Sequence, residues 1–289
     1  MKAPTFRYCR PESLQEALEL LDRYGDDARV LAGGQSLLPS LALRLSAPAV
    51  LVDVGRLSEL QGIESTSAGM RVGATSRHAQ VERSALVARV APLLSQAMPW
   101  VAHPPIRARG TYGGSVSLAD PAAEAPAATL AHAATLVVRS LRGERRIPAQ
   151  EFFKGLYETA LEPGEILVEA LFDQPVLGER FVFREFARRS GDFATAGAAL
   201  RAQVEGEQVK SLQIVVFGVA DRALLASAAG ALLIGERLNQ ASIRAAVQAL
   251  ETDVDPFGDT YCDSATKMHL LRVLVRRSLE ELSQGAGHA

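Results

Sequence analysis

In Leu31-Ala32-Gly33-Gly34-Gln35-Ser36-Leu37-Leu38-Pro39, a short apolar strand, Arg29 to Ala32, passes into a polar turn and then into a Leu-rich segment able to enter a helix. Two adjacent glycines allow positive φ and put no Cβ in the way, so consecutive N–H groups can converge on one anion. The plainer reading is a glycine pair that only closes a tight strand-to-helix turn. Arg109-Gly110-Thr111-Tyr112-Gly113-Gly114-Ser115-Val116-Ser117 repeats the arrangement far along the chain. Two such loops predict one diphosphate. Neither Lys nor Arg occurs between Gly33 and Pro39 or between Thr111 and Ala119, so amides and the hydroxyls of Ser36, Thr111 and Ser115 would hold the anion. A side chain at either glycine pair is expected to take the phosphate's place and leave the chain folded.

Working outward, Leu14, Ala17, Leu18 and Leu21 share one helical face, with Ser13 and Glu16 as a capping box and Gly25 as the stop. Ala49 to Val54 reads as a strand buried on both faces, giving a small β-α-β-α-β unit with the first loop at a strand's carboxyl end. Ile63-Glu64 and Met70 to Gly73 read as a hairpin. A helical stretch follows Thr75-Ser76, with Pro92 as an interruption and Pro99 and Pro104-Pro105 as its end. Asp120-Pro121 opens an alanine-rich helix from Ala122 to Ala131, with Glu124 in its first turn. Thr135 to Arg139 forms another hairpin through Gly143, and Ile166 to Val168 is a further strand.

Gln174 to Gly178 is the boundary candidate, because turn residues cluster there and the pattern restarts. The expected organisation is α+β. Residues 1–175 form one domain with subdomains of about 1–56 and 57–175, and residues 176–289 form a smaller one. The smaller domain is predicted to hold a three-stranded antiparallel meander, 181–186, 199–204 and 212–219, with helices at 223–230, 241–251 and 264–282. The last helix would bury Leu270, Leu271, Leu274, Val275 and Leu279. The small, polar tail from Gln284 to Ala289 is expected to fray.

Composition narrows the chemistry. A net charge of −2 over 289 residues, 48% hydrophobic and 22% charged, offers no field for nucleic acid. Cys9 and Cys262 stand alone, and the five histidines show no metal spacing. Any cluster or metal redox centre is expected on another chain. No apolar run of about 18 residues is present for a membrane span, and Met1 to Thr5 lack a signal-type apolar region, so the expected location is cytoplasmic. The Ser-His-Asp, GxSxG, paired-carboxylate and GxGxxG patterns are all absent.

AGGQSLLP near the N-terminus, RGTYGGSVSLADPAAEAPA in the middle and Arg188 to Ala194 together resemble the FAD-binding medium subunit of the molybdenum hydroxylases, the xanthine dehydrogenase and carbon monoxide dehydrogenase flavoprotein family. The three segments stand in the family's order and at its usual separations. The resemblance implies a two-subdomain FAD-binding domain of the PCMH type followed by the α+β flavoprotein domain. It implies one noncovalent FAD whose diphosphate is held by Leu31, Ala32, Gly33, Gly34, Gln35, Ser36, Leu37 and Leu38 and by Thr111, Gly113, Gly114 and Ser115. It further implies Val101 lining the pocket, Glu124 near the adenosine ribose, Leu167 giving a backbone contact to the adenine and Arg184 as a cation beside the flavin. Tyr112 departs from the family's more frequent aliphatic residue and Gln35 from the His of some members, which bears on how the flavin edge is covered. The implied partners are a large molybdopterin-binding subunit and a small [2Fe–2S] subunit, in a dimer of heterotrimers, with the flavin passing electrons to NAD, oxygen or a quinone. Two rival readings are a stand-alone FAD-dependent reductase and a non-catalytic nucleotide-binding module.

Overall fold

A computed structural model describes residues 2–284; of the tail expected to fray, 284–289, all but Gln284 lies outside the described residues. The N-terminal helix Leu14–Tyr24 buries Leu14, Ala17, Leu18 and Leu21, the face its spacing requires. Ser13 Oγ accepts from Glu16 N at 3.1 Å, but the Glu16 carboxylate reaches Glu12 N, one residue earlier than a capping box demands. This helix packs on a three-stranded parallel sheet in the order Arg7–Cys9, Val50–Asp53, Ala28–Leu31. The edge strand Arg7–Cys9 has only three residues, two of them exposed, and too little apolar pattern to be read from sequence.

A second, antiparallel sheet runs Ile63–Ser65, Gly69–Gly73, Ile166–Asp173, Thr135–Ser140, Gly143–Pro148. One face meets the N-terminal unit through Val137, Ile166 and Val168. The other carries Met70, Val72, Leu136, Val138, Ala170 and Phe172 into the largest core. Short helices cover that face. The stretch read as one interrupted helix is three, His78–Arg83, Ala85–Val90 and Pro92–Ala97; Pro92 starts the third, where its missing N–H costs nothing. The second glycine stretch also differs from expectation. It is the start of a helix, Tyr112–Leu118, capped by Thr111 Oγ1 accepting from Gly114 N. The alanine-rich helix begins at Glu124, two residues later than predicted, and ends at Ala131.

The third sheet is antiparallel and has four strands, Glu179–Phe186, Ala196–Glu205, Gln208–Phe217 and Leu224–Leu225. The expected three-stranded meander gains the two-residue strand Leu224–Leu225, which shortens the following helix to Ser227–Ala231. Both faces of this sheet are buried. Phe183, Ala199, Val215 and Phe217 join the core of the second sheet. Val182, Ala198, Leu200, Ile214 and Val216 pack under the helices Gln240–Asp253 and Ser264–Ser283. The last helix buries Leu271, Leu274, Val275 and Leu279 as expected, with Leu270 only half-buried.

Gly197 sits where the sheet is tightest. A Cβ there would come within 2.1 Å of Phe217 Cζ, because the phenyl ring occupies the side-chain place and stacks on Phe183 with centroids 5.5 Å apart. Gly197→Ala should therefore destabilise the protein by about 1–3 kcal/mol, measured by denaturant unfolding, even though alanine is small and apolar.

Candidate functional site

The first glycine loop ends the strand Ala28–Leu31 and leads into the helix Leu37–Ala42. Gly34 takes φ +73°, the left-handed region that favours glycine, with Leu31 and Leu38 side chains against it. Among the described residues the N–H groups of Gly33, Gly34, Gln35, Ser36 and Leu37 find no acceptor, whereas Leu38 N donates to Gly34 O. Five consecutive donors are thus left for a ligand or solvent on the rim of the cavity. Gln35 steadies the turn by donating its Nε2 to Gly33 O at 3.0 Å.

The second stretch is built differently. Tyr112 N donates to Ser76 O, Gly113 N to Ala74 O and Gly114 N to Thr111 Oγ1, so this helix start has its donors already engaged. Its glycines serve close approach. A Cβ on Gly113 would lie 2.5 Å from Ala74 Cβ, and one on Gly114 would lie 2.6 Å from Thr111 Oγ1. Gly33 has the same constraint, since its Cβ would fall 2.6 Å from Arg109 O and 2.8 Å from Gly110 Cα. The two stretches thus touch backbone to backbone. A substitution at Gly33 separates the segments, where the sequence suggested simple occupation of the phosphate's place in an otherwise intact fold.

Between them lies a cavity of about 820 Å³, within the range of cofactor pockets. Of the residues expected at the cofactor, Ala32, Gly33, Gly34, Gln35, Ser36, Leu37, Val101, Thr111, Gly113, Gly114, Ser115, Glu124 and Leu167 line it. Leu31 and Leu38 stand behind the loop against Gly34. Arg184 is outside the lining and its guanidinium pairs with Glu281 on the last helix. The cause is strand alternation. Phe181, Phe183 and Glu185 face the core of the second sheet, while Val182 and Arg184 face the helical layer. Tyr112, which departs from the family's more frequent aliphatic residue, is fully buried, lies outside the cavity lining and bonds Thr129 Oγ1 at 2.8 Å.

Sequence reasoning missed part of the wall: Ala102, Ile106, Tyr157, the turn 161–166 and Gly191 to Phe193. Ala102 and Tyr157 adopt positive φ, 42° and 56°, a cost for residues with a Cβ that tertiary contacts must offset. Tyr157 donates its hydroxyl to Asp120, which also accepts from Ala122 N. No single-chain pattern marks such positions; the segment Arg188 to Ala194 stood out only through the family resemblance.

The electrostatics of the cavity are set by burial. Glu124 is 5% exposed, and desolvation, with Asp120 nearby, raises its pKa to about 7. Glu185 is 7% exposed with both carboxylate oxygens unpartnered, and desolvation together with Glu124 raises its pKa to about 9. His78, in the wall, is pushed down to about 4 by burial and by Arg107, so it stays neutral.

An FAD fits these residues on two grounds. The run of amides without a protein acceptor suits a diphosphate, and the close backbone contacts at Gly33 and Gly113 bring the two glycine stretches around one cavity of cofactor size. Residues 4–172 match the family described as FAD binding domain in molybdopterin dehydrogenase, and residues 181–282 match the CO dehydrogenase flavoprotein C-terminal domain. The chain is 38% identical over 280 residues to the 6-hydroxypseudooxynicotine dehydrogenase complex subunit alpha of Paenarthrobacter nicotinovorans, covering 96% of this chain and 95% of that one. It is 34% identical to the carbon monoxide dehydrogenase medium chain of Hydrogenophaga pseudoflava, over 96% and 97% of the two chains. A solved structure of carbon monoxide dehydrogenase from that organism superimposes with a TM-score of 0.96 at 35% identity, covering both chains fully.

Two predictions follow from the geometry. Gly33→Ala should lower both thermal stability and FAD affinity, the latter by about tenfold or more, since losing one charge-assisted amide contact costs about 1.5–3 kcal/mol; flavin fluorescence titration and thermal melting read the two effects. Glu185 binds its proton more tightly folded than unfolded, so its contribution to stability is complete below pH 4.5 and is lost as pH rises through about 9. Glu185→Gln should flatten that decline, of at most about 1.4 kcal/mol per pH unit, in urea unfolding measured from pH 5 to 9.

Proposed function

This chain belongs to the family of FAD-binding medium subunits of the molybdenum hydroxylases, and from its site we propose how it works within such an enzyme. It is the FAD-carrying subunit of a heteromeric oxidoreductase. The observation that carries this reading is the run of free amides from Gly33 to Leu37, opening on a cavity closed by Thr111 to Ser115 and Glu124. Bound FAD supplies the electron chemistry. The protein's residues would bind and orient it: the amides of Gly33 to Leu37 would donate to the diphosphate, with Ala32 beside them, Thr111, Gly113, Gly114 and Ser115 would form the facing wall, and Val101 and Leu167 would present apolar surface that keeps water out. Glu124 offers the cofactor a carboxyl group.

The finer assignments belong to the same proposal. The matched segments support a PCMH-type FAD domain over 1–175, with subdomains near 1–56 and 57–175, and a C-terminal flavoprotein domain over 176–289. The partners are a large molybdopterin subunit that oxidises substrate and a small [2Fe–2S] subunit that delivers electrons, assembled as a dimer of heterotrimers in the cytoplasm. Among the described residues no helix is long and apolar enough to cross a membrane, and no group of three or more His, Cys, Asp or Glu gathers to hold a metal. Trp100 and Ile106, exposed large apolar residues beside the cavity lining, favour this face for partner contact.

The purified chain should release its flavin intact on acid precipitation, because the binding groups are amides and hydroxyls. Alone it should reduce dyes at most weakly. Oxidation of an aldehyde, a nitrogen heterocycle or carbon monoxide should appear only when the large and small subunits are added; turnover of any of these by the flavin-loaded chain alone would overturn the relay reading.

A further inference from the structure

Resting on the FAD-subunit reading, we propose that Arg107 is a positioning residue for the cofactor. Bound to Glu82, it holds the strained turn 101–103 and, through His103, the segment 191–193, so that this side of the FAD cavity is shaped before FAD enters. Val101, Ala102, Gly191, Asp192 and Phe193 all line the cavity, and Arg107 itself does not. The turn lies between the helical turn Met98–Trp100 and the helix Pro104–Arg107. Ala102 adopts φ 42° there, a conformation that a residue with a Cβ keeps only where its surroundings impose it. Arg107 supplies the constraint. Its Nη1 donates to Val101 O at 3.0 Å and to Ala102 O at 3.1 Å, the carbonyls of the two peptide groups that flank the Ala102 α-carbon. Among the described residues neither carbonyl accepts from any other group. Arg107 Nε and Nη2 donate to the two carboxylate oxygens of Glu82 at 2.9 and 3.2 Å, a planar fork that a guanidinium presents and an ammonium does not. Glu82 stands on the helix His78–Arg83, which is tied to the second glycine stretch by His78 N donating to Gly110 O at 3.0 Å.

Two further observations give the clamp a role beyond steadying a surface loop. The Arg107 and Glu82 side chains are only 12% and 26% exposed, unlike the solvated ion pairs that contribute little. The turn also supports a second stretch of wall. His103 lies against Gly191, where a Cβ would come within 2.5 Å of the His103 Cε1 and 2.8 Å of its Nδ1. Gly191 takes φ +85° and leads into Asp192 and Phe193 in the lining. A turn that relaxed at Ala102 would carry His103 off its glycine and shift both stretches together. Wall segments already in place do not have to be ordered when a ligand arrives, so the clamp strengthens FAD binding without touching FAD. Attraction by charge is not the means. Glu82 neutralises the guanidinium, and the Nη1 donors are engaged by the turn's own carbonyls.

Trp100, the single tryptophan of the chain, directly precedes the turn and reports its order without any cofactor. In the full chain freed of flavin, Arg107→Lys and Arg107→Met should lower the anisotropy of Trp100 fluorescence while far-ultraviolet dichroism shows a folded protein. Both should raise the Kd for FAD, read by flavin fluorescence titration, by about tenfold or more through lost pre-organisation. Arg107→Lys separates the clamp from plain attraction by charge, because it keeps the cation and loses the fork. Adding Ala102→Gly to Arg107→Met should recover about threefold or more of the affinity, since glycine takes positive φ without strain and needs no clamp. A wild-type Kd in Arg107→Lys, no recovery on adding Ala102→Gly, or a changed Trp100 signal with unchanged FAD binding would overturn the proposal. If Arg107→Met does not fold, Arg107→Lys and Glu82→Gln decide by the same Kd and anisotropy measurements, and a wild-type Kd in either counts against the clamp. A wild-type chain that takes up no FAD would overturn the subunit reading, while Trp100 would still show whether the clamp holds the turn.

Discussion

The cavity exists because backbone can touch backbone at Gly33. Its α-carbon meets the Arg109 carbonyl and Gly110 with no room for a methyl group, so two segments more than seventy residues apart meet at the floor of one site. Gly113 repeats the device against Ala74, tying the helix Tyr112–Leu118 to the end of the strand Gly69–Gly73. Once these contacts are made, the free amides of Gly33 to Leu37 face a wall that is already rigid. An anion bound by these amides would meet a loop whose position is already fixed by backbone contact.

The third sheet has a comparable role at the other side of the cavity. Because it is buried on both faces, its strands carry two unrelated sets of side chains, one in the core of the second sheet and one under the terminal helices. A one-residue difference on the strand Glu179–Phe186 decides which set a side chain joins. Arg184 pairs with Glu281 on the helical layer, and Glu185 buries a carboxyl whose oxygens have no partner on the other face. The same sheet holds the preceding segment in place through Gly218 N, which donates to Pro121 O at 2.8 Å just before Glu124.

The charges around the cavity follow one rule. Dipoles of the main chain supply the positive potential, while the ionisable side chains in the deepest part of the wall, Glu124 and His78, are biased to their neutral forms by burial. The lining cation Arg29 is held by the Asp26 and Ala28 carbonyls, so attraction for an anion would depend on the geometry of the amides more than on net charge. It also explains why a net charge of −2 is compatible with holding a diphosphate.

Several features were legible in residue order alone. The helix Leu14–Tyr24, the long C-terminal helix and the antiparallel strands have the periodicity of their buried faces, and the Gly33-Gly34 turn has the residues an amide cradle requires. Thirteen of the residues expected at the cofactor line the cavity because motifs adjacent in sequence stay adjacent in space. The remainder is decided by contacts between distant segments. The second glycine pair looked like another nest, but its amides are consumed by Ser76, Ala74 and Thr111, partners that local sequence does not announce. Arg184 and Glu185 are neighbours in the chain, and only the double-sided packing of their sheet sends the cation to the helices and the acid to the face of the second sheet's core. Local spacing determines which residues share a face; which layer covers that face, and therefore which charge is desolvated, is settled by tertiary structure.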